Sequence, residues 1–376
     1  MRHLRTKTCL TVIIAFMAIM AVTISGCTKV QEKESEVIKI GAILPLTGDA
    51  ATYGENCKKG MQVASEQFKI PVIYEDSAVN AKKAVSAFNK LTNIDKVRIV
   101  AGDMFSSTTL AFAPIAQDND VLVISPTSGA EDVPKTGDFI FSLYPSGIVE
   151  GSYMAKRYAE MKTGVKLNIG IIHTQEQVYT DIAKGFQDTI GTMENVSIVF
   201  VESIPPAKKD FKDIISKYMR QKEVTTVYLS ADKITVSNII KQAKQFKWAV
   251  QFLSQSTLYD KSLLDNYGKY LNKIIFTGPY FDINDKDELT KSFVSSYRSK
   301  YASDPDVWAA YGYDTILTIS KTLDSCQKCN NKALADTLRK LNSMGVTGAI
   351  KFNYFGGAIR SFKLFTVSGN KFEVIE

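Results

Sequence analysis

Small hydroxyl residues stand directly after several short apolar runs of this sequence, at points where parallel strands would end. Residues 106–109 (SSTT) and 127–129 (TSG) are the two densest such groups. Hydroxyl groups, the free N–H groups at the start of a helix and the positive end of its dipole together form a cradle for an anion such as a carboxylate. A plainer alternative is that Ser106 or Ser107 only caps the helix that begins there.

The same pattern recurs along the rest of the chain, with aromatic residues added to the hydroxyls. The further segments are residues 51–54, 173–179, 231–233 and 254–257. Tyr53 and Tyr179 lie within these segments and are placed where the wall of a cleft would run. Hydrogen-bonding groups beside an aromatic wall are typical of a site that binds a small polar molecule.

Catalysis finds little support in the sequence. The chain has two histidines, His3 and His173, and lacks the GxSxG, GxxxxGK[ST] and HExxH motifs of common enzyme classes. His173 follows a predicted strand, but no serine is marked as the nucleophile that it would activate. We therefore predict a binding protein without cofactor or metal, and an enzyme that uses His173 as its base is the remaining alternative.

Composition and charge exclude several other classes of protein. The 376 residues are 45 % hydrophobic and 23 % charged, which excludes a disordered, collagenous or coiled-coil chain, and the length indicates two domains. The formal charge is +7, of which Arg2, Arg5 and Lys7 contribute three in a stretch of 26 residues without acids, leaving +4 for the rest. That balance gives no indication of a nucleic-acid partner.

The N-terminus predicts export and a lipid anchor. Basic residues precede an apolar run over residues 9–24, and Ser25-Gly26-Cys27 follows that run. A basic start, a short apolar core and small residues describe a secretory signal peptide, and a cysteine at this point matches a bacterial lipobox. We expect removal of residues 1–26, lipid on Cys27 at the cell envelope and a flexible linker over residues 27–37. The alternative is an uncleaved anchor helix.

The remaining cysteines have structural interpretations. Cys57 falls on the apolar face of a predicted helix, which indicates a position in the core. Cys326 and Cys329 are separated by two residues and follow a predicted helix. In an oxidising compartment a local disulfide is the first interpretation of this pair, and two free thiols are the second. A catalytic CxxC would open a helix, whereas this one closes a helix.

Short apolar runs alternate with amphipathic helical segments from residue 38 onward. In the first helical segment, predicted over residues 54–68, Cys57, Met61, Ala64 and Phe68 fall on one face. The alternation continues through residue 144 and then restarts, which predicts an α/β protein with two doubly wound lobes. Ligands bind beyond the carboxyl ends of such strands, and two lobes can close over a ligand held in the cleft between them.

A set of short motifs follows the lipobox in a fixed order. The motifs are IKIGAILPLTG at residues 38–48, Tyr53-Gly54, Gly60-Met61, the region of Asp76, Gly102, SSTT at residues 106–109, ISPT at residues 124–127, the segment from Phe211 to Ile215, and WAAYGYD at residues 308–314. The ordered set resembles the leucine/isoleucine/valine-binding family of ABC-transporter solute-binding proteins, in lipoprotein form. The similarity covers nearly all of residues 38–376.

The resemblance implies a type I periplasmic-binding fold, in which three hinge crossovers join two Rossmann-like lobes around an interlobe cleft. The crossovers project onto residues 143–146, 277–281 and 353–359. The N-terminal lobe would then comprise residues 38–144 and 279–355. The C-terminal lobe would comprise residues 145–278 and 356–376.

The resemblance also implies a set of ligand-binding residues. They are Tyr53, Ser106, Ser107, Thr127, Ser128, Gly129, Tyr179, Asp232 and Ser256. Ser106 and Ser107 would hold the carboxylate of the ligand, residues 127–129 would add contacts, and Tyr53 and Tyr179 would contribute aromatic surface.

Two of these positions depart from the family members that bind amino acids. Those members usually have threonine where Gly129 stands, and they supply an acid for the ammonium group where Ser256 stands. Asp232, one strand away, is the alternative acid, because a buried ammonium group needs a charged partner. If Asp232 faces away from the ligand, we expect an amide, an aromatic or aliphatic carboxylate or another small polar solute instead of a zwitterion.

The resemblance implies a lipid-anchored protein that captures a small polar solute and delivers it to ABC permease subunits in the cytoplasmic membrane. The alternative from a different class is a sensory or regulatory envelope lipoprotein of the same fold that acts through a protein partner.

Overall fold

The protein is described by a computed structural model that covers residues 38–221, 223–326 and 329–375. The predicted signal peptide (residues 1–26), the predicted lipidation site Cys27 and the predicted linker (residues 27–37) lie outside the described residues. Among the residues that are described, no helix has the length and apolar character needed to cross a membrane.

The first sheet has five parallel strands. They are β1 (Ile40–Leu44), β2 (Val72–Asp76), β3 (Ile99–Gly102), β4 (Leu122–Ser125) and β5 (Ile140–Ser142), in the spatial order β2-β1-β3-β4-β5. The connecting helices are α1 (Ala51–Phe68), α2 (Ala81–Asn93), α3 (Ser106–Asp118) and the short α4 (Asp132–Lys135). All strands except the edge strand β2 are buried along their whole length. Continuous burial is expected where helices cover both faces of a parallel sheet.

The second sheet has seven strands. They are β6 (Leu167–Thr174), β7 (Val196–Ile204), β8 (Thr226–Ser230), β9 (Gln251–Ser254), β10 (Ile275–Gly278), β13 (Lys363–Ser368) and β14 (Lys371–Val374). The helices of this half are α5 (Gly147–Met161), α6 (Gln177–Ile190), α7 (Lys212–Met219), α8 (Lys233–Gln245) and α9 (Ser262–Leu271). The spatial order is β14-β13-β10-β9-β8-β6-β7, and β13 pairs antiparallel with both β10 and β14, whereas the other neighbouring strands pair parallel.

Between β10 and β13 the chain returns to the first sheet. This segment contains α10 (Glu288–Tyr301), α11 (Val307–Ser325), α12 (Asn331–Arg339) and the small antiparallel pair β11 (Asn342–Gly345) and β12 (Gly348–Lys351). Phe293, Ile316 and Leu334 from the three helices share one buried cluster with Ile40 and Ile99 of the first sheet. The chain therefore passes between the two halves after β5, after β10 and after β12.

Helices α1 and α11 pack backbone against backbone because each has a glycine at the contact. A Cβ atom at Gly60 would lie 1.8 Å from the carbonyl oxygen of Ala309. A Cβ atom at Gly312 would lie 2.0 Å from the carbonyl oxygen of Cys57. The contact brings Trp308, at the start of α11, close to Tyr53 on α1.

The predicted fold class, an α/β protein with two doubly wound lobes, is confirmed. The boundaries proposed for the lobes stay a prediction. All strands of the first sheet lie within the proposed N-terminal lobe, and all strands of the second sheet lie within the proposed C-terminal lobe. The sequence patterns missed α4, α9 and the β11–β12 pair, and they began α1 at Gly54, whereas the helix begins at Ala51. The starts of α1, α4 and α9 give little signal in the sequence, because within the described part of the chain no side chain caps these helices.

The described cysteines lie in the core and in a local disulfide, as the sequence predicts. Cys57 is fully buried in the core of the first half. A disulfide joins Cys326 and Cys329, whose Cα atoms are 5.5 Å apart, just after the end of α11.

Candidate functional site

A cavity of about 860 Å³ lies at the carboxyl ends of strands from both sheets. Loops and helix starts that follow β1, β3, β4, β6, β8 and β9 all contribute to its wall. This is the place where open α/β sheets bind ligands. Seven of the nine predicted ligand-binding residues line it: Tyr53, Ser106, Thr127, Gly129, Tyr179, Asp232 and Ser256.

The other two predicted residues, Ser107 and Ser128, lie outside the cavity wall. Ser107 is exposed because consecutive residues of a helix point about 100° apart, so that α3 turns Ser107 away from the side on which Ser106 lies. Ser128 is buried, and its hydroxyl hydrogen-bonds inside the loop instead of facing the cavity. The placement of these two residues does not support the ligand contacts expected of them.

The hydroxyls behind the wall converge on one backbone carbonyl, that of Asp103. It accepts hydrogen bonds from the side chains of Ser125 at 2.6 Å and Ser128 at 3.0 Å, which use its two lone pairs. Ser128 and Thr109 also hydrogen-bond each other at 2.7 Å. This network joins the loop after β3 to the loop after β4 and fixes the two hydroxyl groups that do face the cavity.

Ser106 and Thr127 present their hydroxyls to the cavity in different roles. Ser106 Oγ accepts a hydrogen bond from the backbone N–H of Ala130 at 3.0 Å, so its own proton is free to be donated. Thr127 Oγ1 donates to the carbonyl oxygen of Met104 at 3.0 Å, which leaves lone pairs free to accept. The N-cap residue of α3 is Phe105, and no side chain of the described residues caps the helix, so first-turn N–H groups remain available to an anion.

One acidic side chain lies behind this neutral surface. The carboxyl group of Asp103 is fully buried at the start of α3 and accepts a hydrogen bond from the Met104 amide. Burial raises the pKa of Asp103 from the usual 3.8 to about 6, although hydrogen bonds to the charged form act in the other direction.

Aromatic rings cover the cavity next to the hydroxyl groups. The Tyr53 ring meets Trp308 edge to face at a centroid distance of 5.4 Å, and it meets Phe105 at 6.5 Å. Tyr179, from the start of α6, lines the opposite side and is almost completely buried. These rings provide an apolar surface for the body of a small ligand.

A polar cluster joins the two halves across the cavity. The hydroxyl of Tyr53 donates to Asp260 Oδ2 at 2.9 Å, and Lys233 Nζ forms an ion pair with the same oxygen. The ammonium group of Lys233 lies 4.5 Å from the centroid of the Tyr53 ring. Burial would raise the pKa of Asp260, but hydrogen bonds from Lys233 and Ser262 lower it below its usual value.

The acidic groups of the cavity include Asp232, which was expected, and Glu150, which was not. Asp232 lines the cavity, but its Oδ1 atom accepts the N–H groups of Ile234 and Thr235 at 2.9 and 3.0 Å and thereby caps α8. Ser256, at the position expected to carry an acid, donates its backbone N–H and its hydroxyl to Glu150. Glu150 also lines the cavity, and burial raises its pKa.

Glu150 was missed by the sequence patterns although a signal for it exists. Gly147, Gly151, Met154 and Tyr158 define the buried face of α5, and Glu150 falls on that face at helical spacing. A lone charged residue on an otherwise apolar helix face indicates a buried charge, which is unusual enough to mark a candidate site residue.

Neither catalysis by histidine nor a metal centre emerges from the described residues. His173 lies on β6 with its Nδ1 atom 3.0 Å from the carbonyl oxygen of Thr174, and it is not part of the cavity wall. Among the described residues, no group of three or more His, Cys, Asp or Glu side chains is placed to hold a metal ion.

Comparison with known proteins agrees with this architecture. A family model described as periplasmic binding protein matches residues 37–371. The leucine-, isoleucine-, valine-, threonine- and alanine-binding protein of Pseudomonas aeruginosa is 26 % identical over 337 residues, which cover 86 % of this chain and 87 % of that protein.

Two solved structures share the fold. A leucine-binding protein from Thermotoga maritima superposes with a TM-score of 0.82 at 23 % identity, covering 90 % of this chain and 98 % of that one. A solute-binding protein of an ABC transporter from R. palustris, solved with 4-hydroxybenzoate, gives a TM-score of 0.78 at 19 % identity, covering 90 % and 96 %. The ligands of these two proteins differ in that 4-hydroxybenzoate carries no amino group.

Proposed function

The chain belongs to the periplasmic binding protein family, and from this premise we propose that it is the lipid-anchored solute-binding protein of an ABC importer. The likeness to leucine/isoleucine/valine-binding proteins is confirmed, and members of that family bind solutes without catalysis. In the proposed role the chain captures a small polar solute outside the cytoplasm and hands it to permease subunits.

The observation that carries the proposal is the cavity wall after β3 and β4. Ser106 offers a free hydroxyl proton, Thr127 offers lone pairs, and the uncapped start of α3 lies beside them. These groups recognise a carboxylate by hydrogen bonds and leave its covalent bonds intact. The ligand classes that fit are amino acids, amides and small aromatic or aliphatic carboxylates.

Closure of the two halves over the solute is supported by contacts that already bridge them. The Tyr53 hydroxyl donates to Asp260 Oδ2, and the backbone N–H of Glu131 donates to Asp181 Oδ2 on α6, each at 2.9 Å. Side-chain contacts of this kind form and break as two domains rotate about their connections. They would hold a closed state together while leaving it able to reopen at the permease.

The test is a thermal-shift screen of the protein against amino acids, amides and small carboxylates. A ligand present at 100 times its Kd stabilises the folded state by about 2.7 kcal/mol, so a true ligand raises the Tm by several degrees. No shift with any solute, together with a co-purifying envelope protein, would favour the sensory or regulatory alternative.

The lipid anchor is proposed from the sequence, because Cys27 lies outside the described residues. In cells fed a labelled fatty acid, the native protein takes up the label and sediments with membranes. The Cys27→Ser variant is expected to lose both properties. Label that persists in Cys27→Ser contradicts the anchor without affecting the proposal that the cavity binds a solute.

A further inference from the structure

A buried carboxylate with only neutral partners forms part of the cavity wall. Glu150, in the first turn of α5, is 1 % exposed. Its Oε1 atom accepts the Ser256 N–H at 2.8 Å and the Thr277 hydroxyl at 2.6 Å, and its Oε2 atom accepts the Ser256 hydroxyl at 3.2 Å. All three donors are uncharged, so these bonds orient the carboxylate and leave its charge uncompensated.

The carboxylate of Glu150 retains capacity for a further donor. An ionised carboxylate has about four lone-pair positions, and three hydrogen bonds use three of them. A buried charge is costly unless an opposite charge accompanies it. A cationic group that enters the cavity would supply both the fourth hydrogen bond and the missing charge.

A second buried polar group of the cavity wall, the hydroxyl of Tyr144, can also accept a further hydrogen bond. Tyr144, just after β5, lines the cavity, and its buried hydroxyl lies near Ser256 without a hydrogen bond of normal geometry to any described residue. The proton of the Ser256 hydroxyl is already donated to Glu150, so the Tyr144 oxygen can still accept. A phenolic oxygen accepts hydrogen bonds, and a protonated amine has three donors and no acceptor. One ammonium group therefore matches the unmet needs of both Glu150 and Tyr144, whereas a second carboxylate would be repelled by Glu150.

Resting on the proposed function, we propose that Glu150 is the specificity-determining residue of the cavity and selects solutes that carry a protonated amine. The acid expected at the position of Ser256 is thus provided by Glu150 on α5, and Ser256 orients the Glu150 carboxylate through two hydrogen bonds. With a carboxylate held at Ser106, the selected solute is a zwitterion, in contrast to a benzoate-type ligand.

The experiment compares matched solutes that differ only in the amino group. Calorimetry measures the affinity of the native protein, of Glu150→Gln and of the control Glu288→Gln for L-leucine against 4-methylpentanoate and for L-phenylalanine against 3-phenylpropanoate. Glutamine keeps the size and a hydrogen-bond acceptor but removes the charge, and Glu288 is an exposed residue at the start of α10. The native protein and the control are expected to prefer the amino acid of a pair, and Glu150→Gln is expected to reduce that preference by about 30-fold or more.

Each other result contradicts the inference in a distinguishable way. A native protein that binds the amine-free acids as tightly as the amino acids overturns the role of Glu150 and leaves the proposed solute-binding function standing. An unchanged preference in a folded Glu150→Gln variant also overturns it, because the bonds to Ser256 and Thr277 would then be purely structural. Failure of both solute series to bind overturns this inference, whereas the proposed function falls only if the wider thermal-shift screen also finds no solute. If Glu150→Gln fails to fold, the native protein's preference within each pair decides.

Discussion

The two walls of the cavity differ in how they would recognise a solute. The first wall, formed around Ser106, Thr127 and the rings of Tyr53 and Phe105, belongs to the half built on the first sheet and has Asp49 as its one charged residue among those described. The second wall, which contains Glu150, Asp232 and Lys233, is charged and belongs to the half built on the second sheet. We infer that the first wall provides a general carboxylate cradle and the second wall determines which charge the rest of the solute carries.

The two walls also differ in what holds them in place. The hydroxyls of Ser125 and Ser128 behind the first wall bind one backbone carbonyl, that of Asp103, so the geometry of this wall follows from the backbone of two loops. The charged groups of the second wall depend on individual side-chain bonds, such as Thr277 to Glu150 and Lys233 to Asp260. Substitutions in the first wall should therefore act on affinity for every solute, and substitutions in the second wall should act on selectivity.

The largest expected effect concerns Asp103, the buried acid behind the first wall. Because the folded protein holds the proton of Asp103 more tightly than the unfolded chain, this residue makes stability fall as the pH rises from about 4 to about 6. Asp103→Asn lacks this pH dependence. As the pH rises over that range, the unfolding free energy of the native protein is therefore expected to fall by up to about 3 kcal/mol relative to that of Asp103→Asn. Urea unfolding at a series of pH values measures it. A pH-independent difference would mean that Asp103 has an ordinary pKa.

Ser106→Ala is expected to have the next largest effect, on affinity. Loss of a hydrogen bond to a charged carboxylate costs about 1.5–3 kcal/mol, which is roughly a 10- to 100-fold weaker Kd. Ser107→Ala is the matched control, because Ser107 is the exposed neighbour on the same helix turn. Calorimetry with the best solute from the screen compares the two. Equal affinities of the two variants would remove Ser106 from the cradle.

Ser128→Ala tests whether Ser128 stabilises the loops behind the first wall or contacts the solute directly. The variant loses the bond to the Asp103 carbonyl and leaves the hydroxyl of Thr109 with one partner fewer. We expect a loss of about 1–2 kcal/mol in stability, measured by chemical denaturation, with little change in affinity. A large loss of affinity in a protein of native stability would show that Ser128 contacts the solute directly.

Tyr53→Phe is expected to have the smallest effect and tests the link between the walls. The change removes only the hydroxyl that donates to Asp260, which keeps its bonds to Lys233 and Ser262. The ring stays in contact with Trp308. We expect affinity to fall by less than about fivefold, since a partly exposed polar contact contributes about 1 kcal/mol or less. A loss as large as that of Ser106→Ala would place the solute itself against the Tyr53 hydroxyl.

The sequence was informative about the first wall for a physical reason. Strands and the hydroxyls that follow them are contiguous in sequence, so the apolar runs that precede Ser106 and Thr127 could place these two residues at the cavity wall. The patterns could not separate Ser106 from Ser107, because the choice depends on the rotation of α3 about its axis, and they could not show that Ser128 turns inward. These are properties of the packed loops.

The second wall was harder to predict because its members come from distant parts of the chain. Glu150 meets Ser256 and Thr277 only when α5 packs beside β10, more than a hundred residues further on. Lys233 and Asp260 pair across a loop that contains the unpredicted 3-10 turn Ser256–Leu258. The fold class required only local alternation of strands and helices, and for that reason it was predictable while this wall was not.

The central claim is that the cavity between the two halves binds a small solute reversibly and leaves it unchanged. The most direct measurement is calorimetric titration of the native protein with the best solute of the screen, followed by NMR of the solute recovered after release. The account predicts saturable binding of one solute per chain, weakened in Ser106→Ala, and a recovered solute identical to the one added. Binding that is indifferent to Ser106→Ala, or a chemically altered solute, would contradict it.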